Sequence, residues 1–133
     1  YLEKDFKIQL GENTLKGRID RIDKIGDNEV EIIDYKTGKY KEKLYKDDKM
    51  QLLIYQIALE QGNIQPTKLK YYYLDEKNQN ETEFVAKDKD IEKTKKELRD
   101  TMEEIKKSDF PANPSTFNCT HCDFKNICPM SAV

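Results

Sequence analysis

The run Val30-Glu31-Ile32-Ile33-Asp34-Tyr35-Lys36 closes a β-branched, apolar stretch with a carboxylate and an ammonium two residues apart. In a strand, successive side chains alternate faces, so Val30, Ile32, Asp34 and Lys36 share one side, and the two charges emerge where a buried face ends. A further acid, Asp20, lies 14 residues upstream in another strand-like run, sharing a face with Arg18 and Ile22. A turn at Gly26-Asp27-Asn28 brings the two runs side by side, so that two carboxylates and one lysine converge. Hard divalent ions such as Mg²⁺ are held by one or two carboxylates and keep several waters, leaving positions open for phosphate oxygens. A neighbouring ammonium offsets developing charge and favours deprotonation of a water. The acid-x-lysine pattern alone carries little weight, because it occurs six times: Asp5/Lys7, Asp34/Lys36, Asp47/Lys49, Asp75/Lys77, Glu104/Lys106 and Asp123/Lys125. What sets Asp34/Lys36 apart is its place at the end of an apolar strand, with Asp20 opposite and a helix following. The competing reading is a cross-strand salt bridge at a sheet edge, commonly worth under about 1 kcal/mol.

Cys119, Cys122 and Cys128 lie within ten residues near the C-terminus. An odd count argues against a complete disulfide framework, and the spacing is that of ligands.

The elements that must position these groups follow from periodicity. Residues 5–10 and 15–25 read as a hairpin about the turn Gly11-Glu12-Asn13, and 30–36 adds a third antiparallel strand. Met50, Leu53, Ile54, Ile57 and Ala58 recur at helical spacing from 48 to 61, with Asp47 or Asp48 as cap and Gly62 as stop. Gln51 and Tyr55 stand one helical turn apart on that helix. Residues 69–74 and 82–85 predict a second hairpin around a turn at Asp75 to Asn80. Ile91, Thr94, Leu98, Met102 and Ile105 mark one face of a charged helix over 89–107, packed on the sheet by that stripe. Phe110 to Ser115, with two prolines, is an extended connector.

The expected architecture is α/β (α+β), a mixed sheet with flanking helices, over residues 1–110, followed by a cysteine segment at 111–133. At 133 residues the chain has room for one main core. With 24 Lys plus Arg against 26 Asp plus Glu, the net charge of −2 gives no global signature of nucleic-acid binding. A local lysine run (Lys36, Lys39, Lys41, Lys43, Lys46, Lys49) is read either as phosphate contacts or as a solvated loop. No apolar run approaches the roughly 20 residues of a membrane helix, and no leader opens the chain, so the expected compartment is cytoplasmic, with no membrane partner. Starting on Tyr1 rather than Met, it reads as a piece of a longer polypeptide.

Gly17-Arg18-Ile19-Asp20-Arg21-Ile22-Asp23, then Ile33-Asp34-Tyr35-Lys36-Thr37-Gly38, then Gln51-Leu52-Leu53-Ile54-Tyr55, in this order and spacing, resemble the core of the PD-(D/E)XK nuclease superfamily. The nearest branch is the RecB-like one, which includes nuclease domains of bacterial helicase-nucleases and CRISPR-associated exonucleases. The resemblance implies a restriction-endonuclease-like core and metal-dependent DNA hydrolysis. It implies that Asp20, Asp34 and the backbone carbonyl of Tyr35 ligate Mg²⁺ or Mn²⁺, that Lys36 positions or polarises the attacking water, and that Gln51 and Tyr55 complete the site. Without it, Gln51 and Tyr55 would be ordinary helix decoration. Members also carry an acidic or His residue on a helix before the first strand, which this chain would lack if truncated.

Cys119-x2-Cys122-x5-Cys128-Pro129 resembles the C-terminal three-cysteine half of an iron-sulfur staple in those branches. Such a [4Fe-4S] cluster takes four thiolates, so one ligand would be missing here and would come from upstream. The rival is zinc with His121, which sits unfavourably inside the Cys-x2-Cys knuckle. The implied partners are DNA and a helicase domain or subunit. The alternatives are a non-catalytic DNA-binding or scaffolding domain of the same fold and a zinc-bound interaction module.

Overall fold

The computed structural model describes residues 1–133 apart from Asn28, Glu76, Asn78 and Gln79. It divides into two compact units, Tyr1–Met102 and Glu103–Val133. In the first, alternating apolar and polar residues form β1 (Leu2–Leu10) and β2 (Asn13–Lys24). Their turn places Gly11 at φ 64°, a left-handed value that glycine adopts without steric cost. β3 (Val30–Lys36) returns antiparallel to β2, with Ile22 opposite Ile32. The expected turn there includes Asn28, which lies outside the described residues. Around it, Ile25 and Gly26 N–H donate to the Glu29 carbonyl at 3.0 and 3.3 Å.

Helix α1 (Lys46–Gln61) begins two residues before the expected start. Tyr45 is the N-cap, and the Asp48 carboxylate accepts its N–H at 3.0 Å, satisfying one of the donors a helix start leaves free. From Leu52 to Leu59 all but Ile54 are buried. A helix buried on nearly every side shows little amphipathic contrast, which is why the spacing alone understates it.

After Gly62 the chain enters β4 (Pro66–Tyr73), parallel to β3 with Asp34 opposite Tyr71 and Lys36 opposite Tyr73. Parallel neighbours need a long crossover, and α1 is that crossover. β5 (Glu81–Phe84) pairs antiparallel with β4. The expected turn between them, Asp75 to Asn80, includes Glu76, Asn78 and Gln79, outside the described residues. The result is a mixed five-stranded sheet, β1-β2-β3-β4-β5, with flanking helices, as expected.

Ile8, Ile19, Ile32, Leu52, Ile57 and Leu69 are fully buried in the core, each contributing on the order of 1.5–3 kcal/mol by leaving water. Helix α2 (Asp88–Lys107) adds Ile91 and Thr94 to the buried set, with Leu98 and Met102 half-buried. A Lys46–Glu97 pair at 2.7 Å ties it to α1. The opposite sheet face is held by polar links, Lys70 to Glu31 at 3.4 Å and to Glu81 at 3.1 Å. No helix among the described residues is long and apolar enough to cross a membrane.

The second unit contains the end of α2, an irregular connector, and α3 (Thr116–Thr120), which the periodicity did not predict because five residues make barely one turn. Ser115 caps α3, its Oγ accepting the Asn118 N–H at 3.0 Å. Cys119 is the only buried residue among those described in this unit.

Candidate active site

At the C-terminal end of β3 the ladder to β2 stops at Arg21/Ile33, and a side chain takes over. The Asp20 carboxylate accepts the Tyr35 N–H at 3.0 Å, which fixes Asp20 beside Asp34. The expected grouping of Arg18, Asp20 and Ile22 on one face is not realised. Arg18 is exposed and paired with Asp5 at 2.7 Å, whereas Ile19 and Ile22 are both buried. Two buried positions three residues apart break the period of two, so the alternation shifts within Ile19–Ile22.

Asp34 is 1% exposed, and its two oxygens have different surroundings. Oδ1 accepts from the Gln51 amide at 2.8 Å and from the Tyr55 hydroxyl at 3.4 Å. Oδ2 lies 2.6 Å from the Lys36 ammonium, an ion pair, yet no donor is aligned on it as a hydrogen bond. Burial pushes the Asp34 carboxyl above the usual range, Lys36 pulls it back, and the nearby Asp20 charge raises it further.

Gln51 ties the cluster together. Its Oε1 accepts from Lys36 Nζ at 2.6 Å, while its Nε2 donates to Asp34 and to the Tyr55 hydroxyl, the latter at 2.8 Å. Gln51 and Tyr55 meet because residues four apart share a helix face. Burial and the neighbouring Asp34 and Asp20 charges raise the Tyr55 hydroxyl's pKa.

Asp20, Asp34, Lys36, Gln51 and Tyr55 are thus brought together from three elements. Tyr35 contributes its main chain here, while its ring turns away, its hydroxyl accepting from Arg21 at 3.1 Å. Sequence reasoning missed two supports. Lys36 rides over the Tyr71 ring at 4.8 Å, an attraction that the parallel β3–β4 register makes possible. Phe6 stands edge-on to Tyr55, ring centres 5.7 Å apart.

The lysine run is largely committed elsewhere. Lys41 pairs with Asp48 and Lys46 with Glu97, while Lys43 and Lys49 lie over the Tyr45 and Phe84 rings.

A hard divalent ion suits what is present. Two adjacent carboxylates, one with a buried oxygen lacking an aligned donor, and a main-chain carbonyl at the same strand end make the small oxygen-only set such ions accept. Among the described residues no group of three or more His, Cys, Asp or Glu is placed to hold a metal, so the cysteines as placed do not form the cage a cluster requires. Cys119 Sγ accepts the Ala132 N–H at 3.3 Å, which lowers its thiol pKa. His121 packs on Phe117, with Nδ1 3.0 Å from the Phe117 carbonyl oxygen.

The fold and this strand-end cluster define the class. A profile of the PD-(D/E)XK nuclease superfamily matches residues 2–129, and the chain belongs to that superfamily. Among solved structures it is similar to the crystal structure of SSO0001, with 26% identity and a TM-score of 0.53. The match covers 99% of this chain and 60% of that one, so the chain spans somewhat less than two thirds of that relative. No curated protein matches.

Proposed function

We propose that this chain is the nuclease domain of a DNA-processing enzyme, cleaving phosphodiester bonds with Mg²⁺ or Mn²⁺ held by Asp20, Asp34 and the Tyr35 carbonyl. The observation that carries this is the Asp34–Lys36–Gln51–Tyr55 network with Asp20 beside it. The ion supplies the positive charge that acidifies a water and offsets charge on the phosphate and leaving oxygen. The protein supplies the rest. Lys36 presents its ammonium at the site edge, held from one side by Gln51 and from below by the Tyr71 ring, so it meets a phosphate already oriented. Gln51 fixes Lys36 and Asp34 relative to one another. The Tyr55 hydroxyl donates to Asp34 and accepts from Gln51, which restrains the carboxylate from rotating.

The reading extends to a RecB-like helicase-nuclease setting in the cytoplasm, with a helicase domain or subunit as partner. The sequence motifs support this, and the cysteine spacing supports an iron-sulfur staple. A 31-residue unit with one buried side chain has little core of its own, which is the setting in which a cross-link adds stability.

The test is cleavage of end-labelled single- and double-stranded DNA with Mg²⁺ or Mn²⁺, together with calorimetric titration of Mn²⁺. Metal-dependent cleavage that disappears with Asp34→Ala, along with Mn²⁺ binding, is expected. Unchanged Mn²⁺ binding by Asp34→Ala would sink the site.

A further inference from the structure

Between β3 and α1 the chain runs over a cavity of about 430 Å³, within the size range of small-ligand sites. One wall is Lys36 and Gln51, which makes it continuous with the proposed catalytic centre. The loop carrying Lys39 and Tyr40 lines it as well, as does Tyr73. This loop is anchored. The Thr82 hydroxyl donates to the Lys41 carbonyl at 2.6 Å, Lys41 pairs with Asp48, and the Tyr40 ring stands edge-on to Tyr73 at 5.5 Å. The space is therefore formed before any ligand arrives.

Its charges are divided. Lys36, Lys39 and Lys41 line it against Asp47 and Asp48 in the first turn of α1, and because Lys41 and Asp48 pair with each other, Asp47 is the carboxylate set against Lys36 and Lys39. A ligand anionic throughout would meet the Asp47 charge. One with a single anionic group at Lys36 and an uncharged, flat, hydrogen-bonding body against Tyr40 meets every wall. A nucleotide has that form, its amino and imide N–H groups able to donate to the Asp47 carboxylate.

We propose that this cavity is a nucleobase subsite, taking the base next to the phosphate held at Lys36 and stacking it on Tyr40. The proposal rests on the nuclease reading, because Lys36's role at a phosphate makes the neighbouring group a nucleoside. A base lodged there cannot be paired at the same time, so the strand is unpaired at that position.

The test is a titration followed by NMR of the tyrosine ring signals, using thymidine 5′-monophosphate, thymidine 3′-monophosphate and, as control, inorganic phosphate. Either nucleotide should shift Tyr40 and Tyr73 saturably, while phosphate should leave them in place. Tyr40→Phe should bind as the parent does, and Tyr40→Ala about 5- to 150-fold more weakly, the range of a lost base–aromatic stack. Nucleotides that move only what phosphate moves, or a Tyr40→Ala variant that binds like the parent, overturn the subsite. Metal-dependent DNA cleavage is scored separately. Its absence alongside normal Tyr40 shifts would leave the subsite standing and remove the nuclease reading, and cleavage without a Tyr40 response does the reverse.

Discussion

Gly17 provides a test in which the sign of the effect decides. A Cβ added at this position of β2 would lie 2.5 Å from Phe6 Cζ and 2.7 Å from Cε1. Non-bonded carbons rest about 3.5–4.0 Å apart, so the ring must withdraw by about 1 Å or more. That ring is the edge-on neighbour of Tyr55, whose hydroxyl reaches Gln51 and Asp34. Forced overpacking costs about 1–3 kcal/mol. In an unobstructed strand the same change would gain about 0.5–1 kcal/mol, because glycine weakens strand interiors. Gly17→Ala is therefore expected to destabilise. With a urea dependence of about 1–3 kcal/mol/M for a domain this small, the unfolding midpoint should fall by roughly 0.5–1 M. In a Phe6→Leu background the obstruction is gone and the substitution should become neutral or stabilising. The cleavage rate of Gly17→Ala should also drop more than Mn²⁺ affinity, since the displaced ring touches Tyr55 and reaches the Asp34 carboxylate only through it. A Gly17→Ala protein more stable than its parent, or equally destabilised in both backgrounds, refutes the account.

Three further outcomes are expected. Lys36→Ala should lower turnover more than DNA affinity, measured by single-turnover kinetics beside anisotropy, whereas equal small losses would indicate a plain salt bridge. Because burial raises the Asp34 carboxyl in the folded state, its contribution to stability is present below the ordinary carboxylate range and is lost as pH rises through the raised value. Thermal melts of Asp34→Asn should decline less over that window, and Mn²⁺ at ten times its Kd should stabilise the parent by about 1.4 kcal/mol at pH 7 without affecting the variant. Metal analysis after anaerobic purification should find iron rather than zinc if the cysteines serve a cluster, and Cys119→Ser should raise amide exchange within Glu103–Val133 while leaving β1–β5 protected.

The legible parts of this molecule are those whose cause is local. Period-two alternation places Asp34 and Lys36 on one face, and a four-residue helical spacing joins Gln51 to Tyr55, so each pair is visible within a few residues. The sheet was legible for the same reason, strand by strand. What the spacing could not show arises where elements meet. Asp20 reaches the site because β2 breaks its alternation and its carboxylate replaces a ladder bond, and a strict period of two assigns it the wrong companions. Tyr71 lies under Lys36 only because β4 runs parallel to β3, a pairing decided by the α1 crossover. The spacing could not decide between phosphate contacts and a solvated loop for the lysine run because its acidic and aromatic partners, Asp48, Glu97 and Phe84, come from elements distant in sequence or from the next turn.

Gln51 shows why a complete site resists reading from one dimension. Its amide has a defined sense only because a cation approaches one end and a carboxylate the other. Turned over, it would aim its NH₂ at the Lys36 ammonium and its oxygen at the Asp34 carboxylate, setting like against like at both ends. One glutamine on α1 thus fixes the spacing of two charges on β3, and removing it frees both at once. Gln51→Ala should cost more activity than its lack of charge suggests. Gln51→Glu should be worse, because it keeps the Lys36 contact while placing a second carboxylate against Asp34 and the Tyr55 hydroxyl. If Gln51→Glu cleaves DNA at the parent's rate, the amide's two-ended role is wrong and Lys36 is held by Asp34 and Tyr71 alone.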